Sequence, residues 1–227
     1  MRLPRTGKLL LAGLVGLLAV MPATAAPSFQ TESGDCYDLN QAGMSLDRQA
    51  RYRDALEQFQ QAHACYQEIG DQAGEGVTLS NIGGIYGRLS QYERALEYYQ
   101  QSLNIQKEIG DRAGEGTTLN NIGVIYDSLG QYEQALDIYQ QSLNIQKEIG
   151  DRAGEGTTLN NIGGICYRLG RYEQALDYFR PSLTILKEIG DRAGEGATLS
   201  GIGLVYERLG QYEQALEYHQ QSLGIRK

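Results

Sequence analysis

Apolar residues return along the chain in steps of three and four. Between Asp111 and Gly150 the positions Leu119, Ile122, Gly123, Ile125, Tyr126 and Leu129 form one such series, the spacing of a single face of an α-helix. A second series, Tyr132, Ala135, Leu136, Tyr139, Leu143 and Ile149, begins after Gly130 and Gln131. That connection is too short for anything but an antiparallel neighbour. The pattern predicts a helix A from about Arg112 to Leu129 and a helix B from about Tyr132 to Glu148. Gly110 and Gly150 stand where a left-handed residue ends a helix, and Asp111 and Asp151 where a side-chain oxygen caps the next.

The same hairpin recurs. Units start at Asp71, Asp111, Asp151 and Asp191, a spacing of 40 residues, and the units at Asp71 and Asp111 share 30 of 40 positions. Residues 31–70 form a diverged first unit in which Tyr52, Ala55 and Leu56 keep the register. The expectation is an all-α chain of five antiparallel helix-turn-helix units, about 31–70, 71–110, 111–150, 151–190 and 191–227. Gly83, Gly123, Gly163 and Gly203 fall inside the A helices, where glycine costs about 1 kcal/mol relative to alanine. A packing reason is needed, and a small surface facing Ala135 and its equivalents supplies one. One hairpin cannot bury both stripes, so neighbours must stack.

The N-terminus reads differently. Arg2, Arg5 and Lys8 precede an apolar run from Leu9 to Val20, then Met21, Pro22 and four small residues, Ala23 to Ala26. This order predicts a signal peptide over 1–26, a linker over 27–34 and the repeat array over 35–227. The run is shorter than the roughly 20 residues a bilayer core requires, and Cys36 lies too far beyond it for a lipid anchor. No stable membrane anchor is expected, and the mature chain belongs in the periplasm or outside the cell.

Composition narrows the function. With 41% hydrophobic and 21% charged residues the chain is ordinary globular protein, and its 16 Tyr against 3 Phe and no Trp reflect one repeated position. The net charge of -8 opposes phosphate contact, so nucleic acid is not an expected partner. Among the repeats there is no phosphate-binding glycine loop, no serine elbow and no Cys/His pair at metal-ligand spacing. His63 and His219 sit in the first and last units. No catalytic residue, metal or cofactor is assigned.

The order Leu119, Ile122-Gly123, Tyr126, Ala135, Tyr139 and Ser142 resembles the tetratricopeptide repeat. The usual unit is about 34 residues, so the longer unit here is similar to the long-repeat branch that includes the cell-polarity adaptor LGN. The stretch from Gly110 to Gly116 is similar to that branch as well. Close copies also stand before CHAT-type protease domains in bacterial proteins. The resemblance implies a right-handed superhelical solenoid whose A helices line a concave groove for a protein or peptide. It also implies that the residue before the Ile-Gly pair points into that groove. Asn81, Asn121 and Asn161 occupy that place, and Gly201 interrupts the series.

Asn120 and Asn160 precede two of them, with Ser80 and Ser200 in the equivalent places, and Arg88, Arg168 and Arg208 lie about two turns further on. The expected ligand is an extended segment, bound by asparagine amides on its backbone and by arginines on its acidic side chains. The bland alternative is a row of solvated residues copied by duplication. The family's carboxylate clamp would need lysines that the A helices lack, so a free C-terminal carboxylate is not the expected feature.

Several departures matter. Cys166 replaces the helix A tyrosine, His219 replaces the helix B aromatic, and Pro181 should kink its helix. The fifth unit reads as an interior repeat, which suggests a truncated longer protein, such as the sensor half of an enzyme, or a homo-oligomer stacked through its last hairpin. Cys36 and Cys65 flank the first turn symmetrically, so antiparallel helices would bring them together as a candidate disulfide, worth on the order of 3 kcal/mol. Two buried thiols are the other outcome.

Overall fold

A computed structural model describes residues 33–225. Over these residues the chain folds into ten α-helices and no strand: α1 (Ser33–Arg48), α2 (Tyr52–Ile69), α3 (Gln72–Arg88), α4 (Tyr92–Ile109), α5 (Arg112–Ser128), α6 (Tyr132–Ile149), α7 (Arg152–Arg168), α8 (Tyr172–Glu188), α9 (Arg192–Arg208) and α10 (Tyr212–Ile225). Odd-numbered helices are the A helices of the sequence pattern and even-numbered ones the B helices, with bounds within a residue of those expected. The signal peptide over 1–26 lies outside the described residues. Ser33 and Gly34, assigned from sequence to the linker, belong to the first turn of α1, where Asp35 suits the positive end of the helix dipole. Among the described residues no helix is long and apolar enough to cross a membrane.

The capping chemistry explains where the A helices start. Asp71, Asp111, Asp151 and Asp191 each accept a hydrogen bond from the backbone N–H three residues on, at 2.9–3.0 Å. Among the B helices, α2, α4, α6 and α8 have no side-chain cap and start directly after the turn. At that turn the chain takes a left-handed residue, a glycine at 130, 170 and 210 but Ala50 and Ser90 in the first two units, with φ of 58° and 57°.

Packing answers the glycine question differently from the sequence. A Cβ on Gly83, Gly123, Gly163 or Gly203 would fall within 2.5–2.9 Å of the ring of Tyr99, Tyr139, Phe179 or His219. The glycines therefore seat the aromatic of helix B itself, while Ala95, Ala135 and Ala175 are fully buried. A polar bond accompanies each ring. Ser102, Ser142, Ser182 and Ser222 donate to the carbonyls of Gly76, Gly116, Gly156 and Gly196 at 2.7–2.8 Å, inside the hairpin. Buried serines so bonded are satisfied. Pro181 does not interrupt α8, which ends one residue sooner than its counterparts.

Stacking sets the position of the site. Each B helix packs on the A helix that follows it, and consecutive A helices also touch one another. Among the described residues no two B helices touch. The A helices consequently lie on the inner side of the array. At its start Cys36 of α1 and Cys65 of α2 form a disulfide with Cα atoms 5.4 Å apart, in a small core with Ala62 and Tyr66.

Candidate peptide-binding groove

The inner faces of α1, α3 and α5 enclose an open groove of about 790 Å³. Its wall carries Asn81 and Asn121, its floor is reached by Tyr99 from α4, and Met44, Val77 and Val124 line it with their side chains 38–45% exposed. Apolar side chains left open beside convergent polar groups are what a segment-binding groove requires.

The asparagines are half-buried and partly engaged. Asn81 donates from Nδ2 to Asn40 Oδ1 at 3.0 Å, and Asn161 donates to Asn120 Oδ1 at 3.2 Å. Asn120 and Asn160 also accept from the hydroxyls of Thr158 and Thr198 at 3.1 and 3.0 Å. The residues at 120 and 160 thus act as joints between hairpins. Those at 81 and 161 spend one N–H on the joint and keep the second N–H and the carbonyl oxygen. Asn40 was missed in the sequence because the first unit is diverged. Its register with Ser80 and Asn120 was the available signal. Asn161 lies outside the enclosed stretch, one hairpin further along the same face.

The arginines are less free than the sequence suggested. Arg88 Nε lies 2.9 Å from Asp47 Oδ1, Arg168 pairs with Asp127, and Arg208 donates to the Tyr167 hydroxyl at 3.1 Å. Every partner comes from the preceding hairpin. These bonds tie A helices together along one edge of the groove, and burial there raises the Asp127 carboxyl above its ordinary pKa despite Arg168. Arg168 and Arg208 also lie over the rings of Tyr132 and Tyr167. Arg88 and Arg168 are neutralised by carboxylates, whereas Arg208, bonded to a neutral phenol, keeps its charge, so the basic row expected from the sequence is reduced to its last member.

Cys166 is buried, and burial pushes its thiol pKa up, which disfavours the thiolate a nucleophile needs. His63 and His219 contact Glu75 and Glu207 respectively, at opposite ends of the array.

Paired helices, glycines under aromatic rings and an inner face built from every first helix define a helical repeat solenoid. The tetratricopeptide repeat profile matches residues 74–148 and 154–227, and the chain belongs to that family. Among curated proteins, none matches the chain. Solved structures share the fold. BtubC from P. vanneervenii superposes with a TM-score of 0.75 at 21% identity, covering 85% of this chain and 80% of that one. A Rap protein complexed with competence and sporulation factor gives 0.74 at 18% identity. NprR in complex with its cognate peptide NprX gives 0.67 at 25% identity. Coverage of this chain is 84% and 83% in these two, and this chain spans about half of each, 53% and 55%.

Proposed function

We propose that this chain is a non-catalytic interaction module that holds an extended protein or peptide segment along the inner faces of its A helices. One observation carries the reading. Asn81, Asn121 and Asn161 stand half-buried along one face, and the two whose bonds are seen keep amide capacity beside apolar side chains left open to solvent. A peptide backbone offers an N–H and a carbonyl at each residue, the complement of that spare capacity. Rap and NprR, which share the fold, are in complex with a peptide or factor, and this supports the same use of the face here. Because Arg88 and Arg168 already face carboxylates, shape and backbone bonds select the guest along that stretch rather than its acidity.

The test is replacement of Asn81, Asn121 and Asn161 by alanine, with binding to an immobilised random peptide library read alongside circular dichroism. Binding should fall about 100-fold or more, the sum of three hydrogen bonds of about 1 kcal/mol each, with helicity retained. Unchanged retention would reject the face as the site.

A second reading is favoured by one feature. Leu216 and Leu223 of α10 are 60% and 61% exposed, whereas their equivalents Leu136 and Leu143 are covered by the following hairpin. That face suits another hairpin, from a second copy or from a longer protein such as the CHAT-type enzymes named above. Light scattering at high concentration separates the two, since a strict monomer removes self-assembly. Export completes the proposal, and N-terminal sequencing of protein recovered from the host should begin after Ala25 or Ala26.

A further inference from the structure

Position 84 of the inner face changes size from hairpin to hairpin: Met44, Gly84, Val124, Gly164 and Leu204. Gly84 therefore leaves a notch between two partly exposed side chains, Met44 on one side and Val124 on the other. Beneath it lies Tyr99, 4% exposed, whose hydroxyl would stand 3.5 Å from a Cβ placed on Gly84. None of the hydrogen bonds among the described residues satisfies this hydroxyl, and the ring lines the groove. Tyr99 Oη is not among the buried polar atoms left without a partner, so the hydroxyl opens into the groove, where it can bond a guest.

The fold itself does not need the oxygen. Phe59 and Phe179 hold the same place in the first and fourth hairpins, against Gly43 and Gly163. Nor is the arrangement a simple copy. In the third hairpin Tyr139 keeps the hydroxyl but Val124 stands in place of the glycine, and in the fourth Gly164 keeps the gap but the ring is Phe179. Only in the second do an open glycine and a tyrosine coincide.

Resting on the groove reading above, we propose that the notch over Gly84 is its specificity pocket. It takes from an extended peptide guest one long, uncharged side chain, apolar along its stem and hydrogen-bonding at its tip, a requirement met by tyrosine and glutamine. Met44 and Val124 supply apolar walls for the stem, and the missing Cβ admits the chain to the depth of Tyr99. The tip is uncharged because the Asp47–Arg88 pair beside it is already neutral, and a guest charge there would be desolvated without a partner.

A phage-displayed library of random decapeptides, selected on the purified mature chain, tests this. Selected sequences should carry tyrosine or glutamine at one aligned position at least ten-fold above phenylalanine and leucine. With Tyr99→Phe the advantage of tyrosine over phenylalanine at that position should vanish, while the melting temperature does not fall. With Gly84→Leu the position should lose all preference, although peptides remain bound through the asparagines. Selection without such a position, or an unchanged preference in Tyr99→Phe, overturns the notch alone if retention still depends on Asn81, Asn121 and Asn161. Failure of the wild-type chain to retain any peptide overturns the groove and the notch together.

Discussion

Gln106 and Gln146 are each 3% exposed and have a side-chain oxygen with no hydrogen-bond partner. Both sit near the end of a B helix, where their amides approach Gly114 and Gly154 of the next A helix. The equivalent residue two hairpins after Gln106 is Leu186, 1% exposed against Gly194, so the place accepts an apolar side chain. Gln106 lines the groove, but its copy at 146 repeats the same orphan outside the enclosed stretch, which marks a product of duplication and not a contact for a guest. An unsatisfied buried acceptor costs about 1–3 kcal/mol, so Gln106→Leu and Gln146→Leu should each stabilise the array by about 1 kcal/mol. Urea unfolding is the measurement, and a loss of stability in both would show that the amides have partners after all. Glycines give a paired expectation. Gly123→Ala should destabilise by about 1–3 kcal/mol, because its Cβ would lie 2.5 Å from the Tyr139 ring, whereas Gly84→Ala meets only ordinary contacts and should stabilise by about 0.5–1 kcal/mol.

Between helices, the turns separate what was legible in the sequence from what was not. Helix starts at Asp71, Asp111, Asp151 and Asp191 could be read directly, because an aspartate cap acts on an N–H three residues away. The A-to-B turns could be read where they carry glycine. Ala50 and Ser90 occupy the same left-handed conformation without its freedom, at a cost of about 1–2 kcal/mol. Replacing Ser90 with glycine should raise the melting temperature, by a net stabilisation of about 0.5–1 kcal/mol once the greater entropy of the unfolded chain is subtracted. The alanine variant at the same site is the control and should gain nothing. Bonds between units lay beyond the sequence. Asn81 reaching Asn40 and Arg168 reaching Asp127 join residues 41 apart, and only the stacking of one hairpin on the next decides whether such side chains meet each other or solvent. The notch at Gly84 was hidden for the same reason, since its walls, Met44 and Val124, come from the hairpins on either side.

Across the whole array, each hairpin leans only on its neighbours, so stability is distributed and the ends are exposed to fraying. The first hairpin buries its apolar side chains in two places: Ala55 and Phe59 join the core of the hairpins that follow, while Cys36, Ala62, Cys65 and Tyr66 form a small core of their own with Leu39 and Ile69 packed beside them. The disulfide closes a loop of 29 residues across that hairpin and should contribute about 3 kcal/mol by restricting the unfolded chain. Its effect ought to be local, because the second and later hairpins keep their own buried rings and serine bonds when the first one opens. Reduction, or replacement of both cysteines by serine, should therefore accelerate amide hydrogen exchange in α1 and α2 by roughly 100-fold while α5 to α8 change little. Met44, Asp47 and Arg48 belong to α1, and the groove is enclosed on one side by them, so the same treatment should also weaken capture of a guest without unfolding the rest. Acceleration spread evenly over all ten helices would mean that the array opens as one cooperative body, and the groove would then be no more sensitive to reduction than any other part of the chain.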